Sequence, residues 1–210
     1  MTRLALSLVI AYLAGAFPTA WLAGKARGVD IGRMGSGNYG ATNVYRTLGV
    51  APAIVVVIVD VAKGFLPVAL LPRFLPVEGM APVTQGVDLA VAAVLGHVYS
   101  VFLGFRGGKG IGTAAGAYLA LAPWAVLAAA VAWLAVVALT RIVSLASLVG
   151  ALALLAGVVA LDFAPRGSDV VLGAATAMLV VFVFWTHRSN IARLIRGEER
   201  RIVASGRRPS

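Results

Sequence analysis

The sequence predicts an all-α polytopic membrane protein with seven transmembrane helices, and three observations lead there. Mean hydropathy is +0.94, charged residues make up only 12% of the chain, and apolar runs of spanning length recur from Leu4 to Thr186. A hydrocarbon core about 30 Å thick takes roughly 20 apolar residues per helix. Lipid offers backbone N–H and C=O groups no partner, so only helices and closed barrels span it. The period-2 alternation of a barrel strand is absent.

The first apolar run, residues 4–24, exceeds a typical secretory h-region and has no clean small-residue cleavage site before Lys25, so it reads as a retained helix. Further spans fall near 51–72, 85–104, 110–122, 124–140, 142–161 and 169–186, each bounded by charge or by Pro and Gly clusters. The stretch 110–140 is long for one crossing and short for two, with Pro123 as a natural break. Parity decides. Two crossings there gather 14 of the 18 Lys and Arg on one side; Arg3, Arg73 and Arg166 stay on the other and Lys63 lies within a span. By the positive-inside rule the basic side is cytoplasmic, with the amino terminus outside and the carboxyl terminus inside. A single crossing would export Arg188 and the basic tail. Residues 1–199 thus form one integral-membrane domain, and 200–210 a basic cytoplasmic tail in which Arg200, Arg201, Arg207 and Arg208 suit a lipid surface.

Composition also removes classes of chemistry. With no cysteine there is neither a disulfide nor a thiolate metal site, and two histidines without a neighbouring carboxylate cluster argue against a metal centre. No cofactor and no nucleic-acid partner are expected.

The polar segments that interrupt the apolar runs all land on the cytoplasmic face, which would let them build one site. The first, Gly35 to Asn43, reads GSGNYGATN and continues to Arg46. Its glycines permit unusual backbone angles, and Thr42 and Arg46, four apart, share a helix face. Ser36, Gly37, Asn38, Thr42, Asn43 and Arg46 form a candidate anion cradle; a plain turn with capping residues would leave the arginine unexplained. Gly35 to Gly40 also fits GxGxxG with Asp60 downstream, but that fingerprint needs a strand–turn–helix unit and Asp60 lies in an apolar helical run. Asp60 and Lys63, three apart, fall on one helix side and read as a buried ion pair holding helices together, with attraction of phosphate by Lys63 the lesser alternative.

The second segment, FRGGKGIGT from Phe105 to Thr113, resembles a P-loop without being one: GxxxxGK[ST] needs glycine at 103 and Ser or Thr at 110, where the chain has Leu103 and Gly110. Gly107, Gly108 and Gly110 allow close backbone approach, Lys109 supplies a point charge, a helix amino terminus begins here, and Thr113 shares the Lys109 face. Gly112 and Gly116 form GxxxG, a packing signal. Arg141, Ser144 and Ser147 recur at three-residue spacing, and for the serines substrate contact and back-bonding to the helix stand as equal alternatives. The third segment, HRSNIARLIRGEE from His187 to Glu199, reads as an interfacial helix with His187 and Asn190 on one face.

Together GSGNYGATN with Arg46, DVAKG, GGKGIGT and HRSNIARLIRGEE resemble, in order and over nearly the whole chain, the bacterial acyl-phosphate:glycerol-3-phosphate acyltransferase family, often called PlsY. The resemblance implies transfer of a fatty acyl group from acyl phosphate to the sn-1 hydroxyl of glycerol 3-phosphate at the inner leaflet of the cell (inner) membrane, giving lysophosphatidic acid. It implicates Ser36, Arg46, Lys109, His187 and Asn190 in catalysis. Gly37, Asn38, Thr42, Asn43, Gly107, Gly108, Gly110, Thr113, Ser144, Ser147 and Arg188 would bind substrate, and Asp60, Lys63 and Glu198 would be structural. The expected partners are the two substrates, the bilayer, and a functional partner that makes acyl phosphate.

The residues read alone suit such a reaction, because two phosphorylated reactants repel and Arg46, Lys109, His187 and helix amino termini offset that repulsion. No Ser-His-Asp set and no HxxxxD motif is present, so direct transfer without an acyl-enzyme is expected. Either His187 or the substrate's own phosphate would take the proton. The rival classes are a transporter or flippase for an anionic lipid or organophosphate, which would place its site near the midplane between repeated halves, and a non-catalytic scaffold.

Overall fold

The computed structural model describes residues 2–162 and 169–202, and every regular element among them is helical. Arg166 and residues 203–210, with Arg207 and Arg208, lie outside the described residues. The chain divides into two compact units, Met1–Pro123 and Trp124–Ser210.

In the first unit the leading apolar run is two helices, α1 (Thr2–Ala16) and α2 (Thr19–Lys25), rather than one. Pro18 explains the break: it has no N–H to give and disfavours helical angles at the residue before it. The break also frees the Phe17 carbonyl, which accepts a hydrogen bond from Lys63 Nζ at 3.0 Å. A polar loop leads to α3 (Ala41–Leu48), followed by α4 (Val50–Phe74), α5 (Pro82–Val98) and α6 (Ile111–Leu121).

Small residues set how closely these helices approach. A Cβ on Gly64 of α4 would collide with the Thr113 carbonyl of α6, and one on Gly116 of α6 with the Val61 carbonyl of α4. Gly15 of α1 lies in the same way against the Ala93 carbonyl of α5, and Gly96 of α5 against the Tyr12 carbonyl of α1. In lipid, helices gain little from burying apolar surface, so backbone contact through glycine is a principal means of holding them together. The GxxxG at Gly112 and Gly116 therefore packs α6 on α4.

The second unit holds α7 (Pro123–Thr140) from its second residue onward, α8 (Val143–Gly157) continuing as a π turn over Val158–Asp162, α9 (Asp169–Thr186) and α10 (Arg188–Ile195). In α7 only Ala125 is buried, while Trp124, Leu127, Val131, Leu134 and Leu139 are exposed. An apolar helix bare on nearly every side suits lipid and no aqueous surface.

Among the described residues five helical stretches are long and apolar enough to cross a membrane: Thr2–Lys25, Val50–Phe74, Pro82–Leu103, Pro123–Thr140 and Val143–Leu161. A sixth follows if Val170–Thr186 and Arg188–Ile195, bent by 62°, are taken as one. The expected crossing at 110–122 is the 11-residue α6, roughly 16 Å long at 1.5 Å per residue, about half the hydrocarbon thickness. The chain is thus an all-helical multi-span protein, with α6 shorter than its apolar composition suggested.

Candidate active site

The first polar segment is a loop built around one amide. Asn43, buried in the first turn of α3, donates from Nδ2 to the carbonyls of Ile31 (3.1 Å) and Met34 (3.0 Å), while its Oδ1 accepts from the Ser36 N–H at 2.8 Å. Gly35 stands at φ +60°, and a Cβ there would strike Asn43 Oδ1, so this close return needs glycine. The amide of Asn43 is thereby engaged within the loop. Ser36 is exposed at the rim with Gly37 at φ +68°, and Thr42 and Arg46 are half-buried one turn apart on α3.

The second segment meets the first. Asn38 Nδ2 donates to the Gly107 carbonyl at 3.4 Å, joining the two glycine turns. Gly108 N–H donates to the His97 carbonyl at 3.2 Å, folding the turn back onto the end of α5. Lys109 is half-buried and Gly110, at φ +83°, opens α6, whose amino-terminal N–H groups suit an anion. Thr113 is fully buried against Gly64, and its Oγ1 has no hydrogen-bond partner among the described residues. It lies in the α4–α6 seam.

Beneath this turn sit Asp60 and Lys63, paired at 2.8 Å with both side chains buried. Their three-residue spacing on α4 produces the pair, and it is accompanied by His97 of α5, whose Nδ1 is 3.8 Å from Asp60 Oδ1. His97 escaped the sequence reading because its carboxylate neighbour comes from another helix.

In the second unit the polar residues gather on Glu199. Its Oε1 accepts from Ser144 Oγ at 2.9 Å and Asn190 Nδ2 at 2.7 Å, and its Oε2 accepts from Arg193 Nε at 2.7 Å. The Glu199 side chain is 3% exposed, whereas that of Glu198 is 57% exposed and pairs with Arg196. Of two adjacent glutamates, the sequence reading chose the exposed one as structural. Burial alone would push the Glu199 carboxyl up, but the hydrogen bonds from Asn190, Arg193 and Ser144, with the charge of Arg193, hold it below the usual carboxylate value. The Ile202 N–H donates to the Arg141 carbonyl at 2.7 Å, tying this segment to the turn between α7 and α8.

Ser144 thus reaches Glu199, while the Ser147 hydroxyl donates back to the Val143 carbonyl at 2.9 Å, the helix-internal alternative. His187 is buried at the bend between α9 and α10, and its Nδ1 lies 2.9 Å from the Val183 carbonyl. A carbonyl only accepts, so Nδ1 carries the hydrogen of that contact. Arg188 is exposed, with its guanidinium 4.6 Å over the Trp185 ring and Nη1 donating to the Trp185 carbonyl.

These features define a class: a helical membrane protein whose lipid-facing spans carry glycine turns, cations and amides suited to phosphorylated molecules. The chain belongs to the glycerol-3-phosphate acyltransferase family, whose model matches residues 5–197. A relative from Geobacter metallireducens, named glycerol-3-phosphate acyltransferase, is 47% identical over 199 residues, covering 95% of this chain and 97% of its own. The fold is similar to the crystal structure of PlsY, an integral membrane glycerol 3-phosphate acyltransferase, in its glycerol 3-phosphate form. The TM-score is 0.85 at 32% identity, over 95% of this chain and 96% of that one. The lysophosphatidic acid form of the same enzyme gives a TM-score of 0.81 at 34% identity, over 95% of each chain.

Proposed function

We propose that this protein transfers a fatty acyl group from acyl phosphate to the sn-1 hydroxyl of glycerol 3-phosphate, releasing lysophosphatidic acid and inorganic phosphate. Family membership supports the acceptor. Within the first unit the reading is carried by the Asn38–Gly107 hydrogen bond, which brings two glycine turns, each with a cation nearby in sequence, to one place.

The hydroxyl oxygen attacks the acyl carbonyl carbon, the bond from that carbon to the phosphate oxygen breaks, and phosphate leaves with the bonding pair. Acyl phosphate is a mixed anhydride, so no acyl-enzyme is needed to provide a better leaving group. Arg46, Lys109 and the amino terminus of α6 offset charge on the phosphates, Ser36, Asn38, Gly107 and Gly108 hold the acceptor, and Thr42 supports Arg46. Holding both reactants in line supplies several kcal/mol of the rate enhancement, up to roughly 7–11 in ideal cases. From the second unit we assign Ser144, His187 and Asn190 to the reaction, with Glu199 fixing the serine and the amide. The hydroxyl proton goes to the acceptor's own phosphate, because the polar segments are rich in cations and short hydroxyls and poor in carboxylates that could take it. Accordingly His187→Gln keeps near-normal turnover at saturating substrate while Arg46→Ala abolishes it. A loss on His187→Gln confined to turnover, with an acidic limb in the pH profile, would return the proton to the histidine.

The fuller topology belongs to the same reading: seven crossings counting α6, amino terminus outside, carboxyl terminus cytoplasmic, one domain over 1–199 and a basic tail over 200–210. The site then faces the cytoplasm of a bacterial inner membrane, where a partner enzyme supplies acyl phosphate. Proteoliposomes given acyl phosphate and labelled glycerol 3-phosphate test it against the transporter: conversion to lysophosphatidate is expected, and vectorial movement without conversion overturns it.

A further inference from the structure

His97 is a buried imidazole of the first unit that the reaction above does not use and the motifs do not name. It is 6% exposed, and its Nδ1 has no hydrogen-bond partner among the described residues. On that side it faces Asp60 Oδ1 at 3.8 Å, and Asp60 is itself held by Lys63, whose ammonium also donates to the Phe17 carbonyl at the α1–α2 break. On its other side the ring is the floor of the glycine turn. The three atoms that a Cβ built on Gly108 would meet first are all ring atoms of His97, Nε2, then Cε1 and Cδ2. Gly107 differs, because a Cβ there would meet the backbone carbonyls of His97 and Val98. In the first turn of α6, a Cβ on Gly112 would lie 3.2 Å from the Asp60 Cβ. A small cavity of about 10 Å³, bordered by Asp60, Lys63, His97, Ser100, Gly107 and Gly108, lies at the same place.

We propose that His97, held in place by Asp60 and Lys63, is a positioning residue that seats the Gly107–Gly108 turn and thereby aims Lys109. The ring touches Gly108 from below, and Lys109 follows directly in the chain, so its direction depends on the height and tilt of the imidazole. An Asp60–Lys63 pair alone would hold α4 to α1; the histidine extends that support to the turn. Gly108 has an unexceptional φ, so what forbids a side chain there is the ring and not the backbone.

The inference rests on the acyltransferase reading, and a steric cycle tests it with a readout of its own. The full-length protein is purified in detergent as His97→Asn, His97→Gln, Gly108→Ala and the two double variants. Thermal midpoints, kcat and KM for glycerol 3-phosphate are measured at saturating acyl phosphate. Gly108→Ala is expected to lower kcat/KM about a hundredfold, the scale of a 1 Å misplacement. His97→Asn, which removes the ring atoms beneath Gly108, recovers at least about tenfold of that loss; His97→Gln, which reaches as far as Nε2, recovers none. Alone, His97→Asn raises KM about tenfold with kcat kept within about threefold, a split that mere loss of folded protein does not produce. Equal losses from Gly108→Ala in both backgrounds, or an unchanged KM in His97→Asn, overturn the proposal. If His97→Asn does not fold, Asp60→Asn serves, with the same rise in KM expected and its absence contradictory. Should wild-type protein form no product, the acyltransferase reading fails, yet the midpoints still decide the seat: Gly108→Ala lowers the midpoint and His97→Asn, not His97→Gln, restores it.

Discussion

At the scale of single residues, the two adjacent glutamates after α10 separate surface from structure. Glu199 is enclosed and receives Ser144, Asn190 and Arg193, while Glu198 meets Arg196 in the open. Removing one member of a buried pair leaves charge and donors unsatisfied, so Glu199→Ala is expected to cost about 3 kcal/mol of stability. An exposed pair contributes little, and Glu198→Ala stays within about 0.5 kcal/mol. The two are compared by thermal unfolding in detergent. Because folding lowers the Glu199 pKa below the usual carboxylate value, its stabilisation is complete above that usual value and is lost as pH falls through the lower, folded value. The acid limb of the melting curve should therefore flatten in Glu199→Gln. Nothing in a single sequence distinguishes neighbouring glutamates that face opposite ways, and the same holds for His97, whose carboxylate partner lies on another helix. Asp60 and Lys63 were legible because their contact is local, i to i+3, and helical periodicity alone predicts it.

At the scale of elements, glycine contacts do more than composition suggests. Gly64→Ala places a methyl group in the Thr113 carbonyl and should destabilise by about 1–3 kcal/mol, as overpacking does. Gly28 has a positive φ of +66° and no neighbouring atoms; asparagine tolerates that conformation, so Gly28→Asn stays within about 0.5 kcal/mol. Similar losses for both would remove close helix approach as the explanation. Most helices were readable from apolar runs, and close packing at Gly112 and Gly116 from their spacing, though not that α4 is the partner. The α1–α2 break was not predicted although Pro18 signals it, because an apolar count over a window is blind to one missing N–H. The short α6 escaped for the same reason: hydropathy measures the solvent a segment prefers, not where its helix starts and ends.

At the scale of the whole molecule the basic residues give an orientation that thiol labelling checks directly, since the chain has no cysteine of its own. An impermeant maleimide applied to spheroplasts is expected to label Thr2→Cys, and to reach Arg201→Cys only after lysis. Labelling of both from one side would mean an even number of crossings. Class and activity were legible from the whole sequence because four separated motifs occur in order, whereas the loop-internal role of Asn43 and the gathering of donors on Glu199 depend on tertiary contacts that spacing does not encode.

The account's central claim is direct acyl transfer from acyl phosphate to glycerol 3-phosphate. Its most direct test is the stoichiometry of the purified protein in detergent, given acyl phosphate and labelled glycerol 3-phosphate without coenzyme A or carrier protein. Equal amounts of lysophosphatidate and inorganic phosphate, abolished together in Arg46→Ala, are predicted. Phosphate release without acylated glycerol phosphate, or acylation only when a thioester donor is supplied, would contradict it.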